Sequence, residues 1–194
     1  MAVRHITLGQ APRAIATLTL AFSGDPAARW SWPDPDVFLE NFPAFALALG
    51  GAAFASGGAY ADEDFRGVAL WLPPGAEADE PALERLFTRS MPADLLATAF
   101  DLFGRMGELH PKQVHWHLPL IGVDPAVQGR KLGEQLLRPA LAHCDAEGVL
   151  AYLESSNPRN VPFYERLGFR AQSVLQVGDS PTITPMLREP SRAR

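Results

Sequence analysis

The chain has 194 residues, 47% of them hydrophobic, a net charge of −5 and one cysteine, Cys144. A chain of this size buries one substantial core, so a single domain over 1–194 is expected. The acidic balance argues against nucleic acid as the main partner, because phosphate binding needs a basic face. The lone cysteine excludes a disulfide framework and a thiolate metal cluster, and in a helical stretch it reads as a small core hydrophobe. The first residues, MAVRHITLGQ, lack the basic leader and apolar run of a signal peptide. No window reads as the roughly 18 uncharged apolar residues of a membrane span, and a cytoplasmic protein with no membrane partner is the expectation. Lys112 and Lys131 are the only lysines among 17 basic residues, a usage that suggests a GC-rich bacterial gene.

Taken in order, Val3 to Leu8 alternates as a first strand. Pro12 then suits the first turn of a helix running to Phe22, with Ile15, Leu18 and Phe22 on one face. The stretch SGDPAARWSWPDPD, from Ser23 to Asp36, reads as a loop holding a short helical piece, and Phe38 to Leu49 as a helix shaped by Pro43. Trp30, Trp32, Phe38, Phe42 and Phe45 make this region aromatic, a pattern more common in cores than in binding sites. Gly50–Tyr60 and Phe65–Leu72 read as a hairpin around the acidic turn Asp62-Glu63-Asp64. Leu83–Thr88 and Ala93–Leu109 read as helices within an insertion at about 80–110, expected as a lid or side wall.

Val114 to Val123 reads as the central strand, with Gly122 a bulge or close-approach point. His115, Trp116 and His117 alternate at its start. Neighbouring histidines on a strand face opposite ways and no third ligand stands at a useful spacing, so no metal site is expected. Asp124-Pro125 breaks the strand. A helix is expected from Gln128 to Glu147, kinked at Pro139 and closed by Gly148. Leu150 to Ser155 is the next strand, and Asn157-Pro158 opens a further helix as N-cap and first helical residue. That helix ends at Gly168. Two last strands follow, Arg170–Val177 and Thr182–Leu187, then a frayed tail from Glu189 to Arg194.

A strand that turns sharply into a glycine-marked helix aims unpaired backbone N–H groups at one spot, which suits a pyrophosphate. GRKLGE lacks the Gly-Lys-Ser/Thr ending of a Walker loop, and the turn has no G-x-G of a Rossmann fingerprint. It resembles the acetyl-CoA loop of the GNAT acyltransferases, Gln/Arg-x-x-Gly/Ala-x-Gly/Ala, met here by Gln128, Gly129, Arg130, Leu132 and Gly133. Lys131 departs from that pattern, standing where glycine or alanine is usual. A second GNAT-like motif, N-x-x-F-Y-x-x-x-G-F, is carried by Asn160, Phe163, Tyr164, Gly168 and Phe169. The resemblance covers Trp116 to Arg188, and within it LESSNPRNVPFYERLGF is most similar to puromycin-type N-acetyltransferases.

The resemblance implies an α/β (α+β) GNAT acyl-CoA N-acyltransferase fold: a mixed, mostly antiparallel sheet flanked by helices, with central strands splayed around CoA. Residues 1–112 would form the acceptor-side half and 113–188 the acetyl-CoA-binding half. It implies an acetyl-CoA-dependent transferase acting on a small primary amine, as a monomer or homodimer, with no metal. The amides of Gln128 to Gly133 would hold the pyrophosphate, and pantetheine would run beside Ile121 and Val123. Phe163, Asn157 and Asn160 are further candidates for CoA contacts, although capping alone would explain Asn157. Tyr164 matches the family's general-acid tyrosine; Glu154, or His117 through water, is the candidate base. Trp30, Phe38 and His117 are the candidates for the acceptor side. Two other readings fit the same residues, a non-catalytic acyl-CoA-binding module and a protein-amine acetyltransferase.

Overall fold

The computed structural model describes residues 2–191. Its strands are β1 (Val3–His5), β2 (Ala59–Asp62), β3 (Gly67–Leu72), β4 (His115–Val123), β5 (Leu150–Ser155), β6 (Arg170–Ala171) and β7 (Thr184–Arg188). They form one sheet in the order β1-β2-β3-β4-β5-β7-β6. Every neighbouring pair is antiparallel except β4–β5, which is parallel. The helices are α1 (Ala11–Ala21), α2 (Pro26–Ser31), α3 (Pro35–Gly50), α4 (Ala53–Ser56), α5 (Glu80–Ser90), α6 (Ala93–Leu109), α7 (Leu132–Glu147) and α8 (Val161–Glu165). The mixed, mostly antiparallel sheet read from the resemblance is thus the observed one.

Helices cover both faces, and the alternation of β3 explains how. Val68, Leu70 and Leu72 point to one side, packing with Leu18 of α1, Phe42 of α3 and Phe87 of α5. Ala69 and Trp71 point to the other, where Leu136, Leu137 and Cys144 of α7 meet Leu153 and Tyr164. Cys144 is fully buried and its thiol is pushed up to about 12 by desolvation, which makes it the inert core residue its position suggested.

The β3–β4 ladder slips in its middle. Leu70 pairs with Leu120, yet Leu72 pairs with His117, so β4 spends one more residue than β3 across the slip. The extra residue exchanges the faces of β4: Trp116 and Leu118 pack on the α7 side, whereas Leu120 packs on the α1–α3 side. Pro119 lies inside this bulge, a position that needs no ladder N–H.

Several boundaries differ from the sequence reading. Gly50–Tyr60 is not a strand: α3 runs to Gly50, α4 follows, and only Ala59 onward joins the sheet. The Ala-rich AAFAS segment keeps helical geometry until Gly57, at φ 83°, ends it with a left-handed cap. The strand expected over Arg170–Val177 reduces to β6 and an isolated bridge between Leu175 and Ile183. The expected tail lies partly outside the described residues, at 192–194. The membrane expectation also needs correcting, because Pro35–Ser56 spans 22 residues at mean hydropathy 1.5, long and apolar enough to cross a membrane by length and composition. The fold uses it as a core helix, with Phe38, Phe42 and Ala46 inside.

Gly122 is the close approach that its place in β4 suggested. A Cβ there would stand 2.7 Å from Ala21 Cβ and 3.1 Å from Leu18 Cδ2, both on α1. Gly122→Val is therefore expected to push α1 off the sheet and destabilise the fold by about 1–3 kcal/mol. Chemical denaturation checks this; an unchanged midpoint would contradict the packing of α1 on β4.

Candidate active site

The β4–β5 ladder runs from His115↔Leu150 to Leu118↔Leu153 and stops. The next residue of β4 is Pro119, which has no N–H to donate. Both strands continue, β4 to Val123 and β5 to Ser155, and between them opens a cleft of about 1750 Å³. Ile121 and Val123 line one wall of it, Asn157, Asn160 and Phe163 the other. Beyond Pro119, β4 presents an edge of backbone groups toward this space, which suits an extended, amide-bearing ligand arm.

At the far end of β4, Asp124 caps a short 3-10 turn through Ala126 N at 2.9 Å, and Gln128 Nε2 donates to Val123 O at 3.1 Å. The expected helix begins only at Leu132, because Gly129 (φ 78°) and Lys131 (φ 62°) take left-handed conformations that end one turn and start another. A lysine in that region costs on the order of 1 kcal/mol relative to glycine, which is the physical content of its departure from the motif. The first amides of α7 lack intrahelical acceptors and, with the helix dipole, make an anion-binding end. Lys131, Arg159 and Arg166 also line the cleft. The two arginines were missed in the sequence because isolated arginines carry no spacing signal. Arg130 is exposed and lies outside the cleft lining. Leu132 contributes backbone there, since its side chain is 1% exposed in the core. Asn157 accepts from Arg159 N at 3.1 Å, the capping role that alone would explain it.

A polar cluster occupies the opposite end, where β4 and β5 are still paired. His117 Nε2 lies 2.8 Å from Glu154 Oε2, and His110 Nδ1 lies 3.6 Å from Glu154 Oε1. His110 Nε2 also contacts His115 Nε2 at 2.8 Å. His115 and His117, two apart on β4, share the sheet face of Tyr152 and Glu154 on β5, and Pro111 ends α6 so that His110 closes over them. Burial alone would raise the Glu154 carboxyl, but His117 and His110 outweigh it and hold the group well below the usual carboxylate range. Sequence spacing concealed this cluster, since His110 and Glu154 reach His117 only through the β4–β5 register. The sequence argument that the histidines face opposite ways and that no third ligand stands at a useful spacing is corrected by their two-residue separation and by that register.

Tyr164 lines the cleft from α8, largely buried at 6% exposure. Its phenol is raised, first by desolvation and then by the charge of Asp25, so it keeps its proton at neutral pH. Asp25 caps α2, accepting from Ala27 and Ala28 N, and also accepts from Ser156 Oγ at 2.7 Å across 131 residues of sequence. This bond ties the N-terminal half to the end of β5. In the sequence, Asp25 lies within the Ser23–Asp36 stretch read as a loop holding a short helical piece. Trp30 lines the cleft with a buried indole N–H that has no protein partner. Phe38 does not: it is 1% exposed in the core, packed on Phe42, which corrects its assignment to the acceptor side. Leu83, Phe87, Phe103 and Met106 of α5 and α6 wall the cleft, as the insertion suggested.

Comparison with known proteins agrees with this geometry. Residues 96–189 match the model of the acetyltransferase (GNAT) domain. An uncharacterised N-acetyltransferase of Schizosaccharomyces pombe is 28% identical over 98% of this chain and 84% of its own. The mycothiol acetyltransferase of Streptosporangium roseum is 39% identical over 75 residues, and the chain spans only 22% of its length. Among solved structures, a histone acetyltransferase HPA2 and related acetyltransferase of Corynebacterium glutamicum has TM-score 0.69 at 24% identity, covering 99% of this chain and 97% of that one. A polyamine N-acetyltransferase of Drosophila melanogaster has TM-score 0.60 at 15% identity, covering 97% and 99%. Residues 96–189, just under half of the chain, are thus similar to the GNAT acetyltransferase domain, and the whole chain shares the fold of solved acetyltransferases; acetyl-CoA is the acyl donor of GNAT acetyltransferases.

A Cβ on Gly133 would already stand 3.3 Å from Phe163 Cζ across the loop. Gly133→Glu is expected to weaken acetyl-CoA binding by well over threefold, about 0.7 kcal/mol, with the fold intact. Calorimetry beside a thermal melt checks this, and affinity retained within threefold would mean that the donor does not use this loop.

Proposed function

We propose that the enzyme transfers acetyl directly from acetyl-CoA to the primary amine of a small molecule that carries an apolar or aromatic portion. The observation that carries this reading is the ionised, buried Glu154–His117 pair, set where β4 and β5 part at the foot of a cleft walled by Trp30, Phe87 and Phe103. A buried carboxylate attracts an ammonium strongly, because its field is little screened. Aromatic walls favour the remainder of the ligand and a cation beside it. The helical walls of α5 and α6 favour a small acceptor over an open peptide groove. The name of the Drosophila polyamine N-acetyltransferase supports an amine acceptor by analogy of fold alone.

The residues divide the proton work. Glu154 is too acidic to be an effective base, and it accepts from His117 Nε2, so His117 Nδ1 is the nitrogen that takes the ammonium proton in this scheme. Glu154 then stabilises the imidazolium and orients the ring, so its role is positioning. The amine nitrogen bonds to the thioester carbonyl carbon, the C–S bond breaks, and the sulfur leaves with the electron pair. Tyr164 donates its O–H to that sulfur; the amide nitrogen sheds a second proton, and the products are amide and thiol with one proton released. A backbone N–H of β4 near Val123 is the oxyanion donor in this scheme.

Screening small amines for CoA release tests the acceptor class. With the best amine, Tyr164→Phe is expected to lower kcat about 10²- to 10⁴-fold, while acetyl-CoA affinity and melting temperature hold. A full-rate chemical step in that variant, read by pre-steady-state kinetics, would remove Tyr164 from the mechanism.

A further inference from the structure

The cluster of His110, His117 and Glu154 has a second capacity. We propose that it is a binding site for a borderline divalent transition metal, Zn²⁺ or its analogue Co²⁺. Each of the three side chains offers a ligand atom, and these atoms all lie within 4.8 Å of one another. Zinc–nitrogen and zinc–oxygen lengths near 2.0–2.2 Å set tetrahedral ligand edges of about 3.4 Å. His110 Nδ1 lies 3.6 Å from Glu154 Oε1, close to that edge, and His117 Nε2 lies 2.8 Å from Glu154 Oε2, a hydrogen bond that a bound cation would replace. Two imidazoles and one carboxylate are the donor set of a borderline metal, neither the thiolates of a soft ion nor the all-oxygen shell of Mg²⁺ or Ca²⁺.

The hydrogen bonds around the cluster point the ligand atoms inward. Gln113 O can only accept, so at 2.7 Å His115 Nδ1 must carry the hydrogen. Neutral His115 then presents a lone pair at Nε2 and receives the N–H of His110 Nε2 at 2.8 Å. That leaves His110 Nδ1 as the ring atom facing Glu154 Oε1, at 3.6 Å. The spacing is too long for a hydrogen bond, and a cation shared by the two atoms fits between them. His115 thereby plays the part that the outer hydrogen-bond partner of a metal-bound histidine plays, fixing its tautomer and ring plane. The ring of Tyr152 packs against all three imidazoles, with centroids 4.7, 5.9 and 5.7 Å from His110, His115 and His117, and limits their rotation. His110, His117 and Glu154 also line the cleft, which leaves the fourth metal position open to it.

Metal in this place would withdraw Glu154 and His117 from the acceptor, a consequence that rests on the proposed acceptor chemistry; the site itself does not. The test therefore reads binding without acetyl-CoA or amine. Full-length protein stripped of metal is titrated with Zn²⁺ by calorimetry and with Co²⁺ by visible absorption. One equivalent is expected to bind at about 1 μM or tighter, with the intensified Co²⁺ bands of low-symmetry nitrogen–oxygen coordination. His110→Ala should weaken binding at least tenfold; its side chain is 34% exposed, so the melting temperature should hold. His143→Ala, which alters the imidazole stacked on Trp116 on the α7 face, should change nothing. Glu154→Gln is the second variant should His110→Ala not fold, and the same tenfold loss is expected. Absence of saturable binding to the wild type, or equal affinity in the variant, would overturn the site.

Discussion

Everything at the site follows from a strand that cannot keep both of its neighbours. β4 is an interior strand, and an interior strand tolerates proline only where the ladder is already interrupted. At Pro119 it is interrupted twice: the bulge against β3 falls there, and the pairing with β5 ends one residue earlier. Downstream, β4 stays bonded to β3 while its other edge faces the cleft. Exposed edges invite pairing with another chain, and here the edge faces a space bounded by α7 and α8 that suits an extended, amide-bearing ligand. The bulge also exchanges the faces of β4. That is why His115 and His117 look toward His110 and the α6 loop while Ile121 and Val123, in odd positions too, line the donor side.

The two ends of the cleft carry opposite electrostatics. The α7 end offers helix amides and the cations Lys131 and Arg166, suited to phosphates. The β4–β5 end offers a carboxylate held ionised by two imidazoles, suited to an ammonium. Tyr164 stands between them, its proton retained through burial and the nearby Asp25. Fixed charges in a poorly solvated cleft act with little reorganisation, so the two ends suit ligand groups of opposite charge. The Asp25–Ser156 hydrogen bond holds the loop before α2 against the end of β5, and so fixes the cleft's mouth relative to its floor.

Much of this was legible in the residues, and the failures have physical causes. The bounds of α6 and β5, the Asn157-Pro158 cap and the close approach at Gly122 came from local chemistry, caps and the absence of a side chain, whereas the helix read as far as Gly168 starts as a 3-10 turn over Pro158–Asn160 and ends at Glu165. Residues 50–58 misled because alanine and glycine carry no periodicity, so a helical continuation looked like strand. Phe38 misled because an aromatic in a pocket-forming region is chemically indistinguishable from one in the core until its helix is rotated into place. The His110–His117–Glu154 cluster and the Asp25–Ser156 bond join residues 7 to 131 positions apart, and no spacing rule reaches across a register that is not yet known. Pro119 was the one visible cue passed over: a proline inside an apolar strand marks the place where a ladder fails.

The central claim is that β4 beyond Pro119 is a strand edge used by acetyl-CoA. Amide hydrogen exchange, with and without saturating acetyl-CoA, tests it most directly. The account predicts slowed exchange concentrated at residues 120–123 and 129–133, with β1 and β2 unchanged. Saturating binding that leaves those two segments at their free rates, with protection elsewhere, would contradict it.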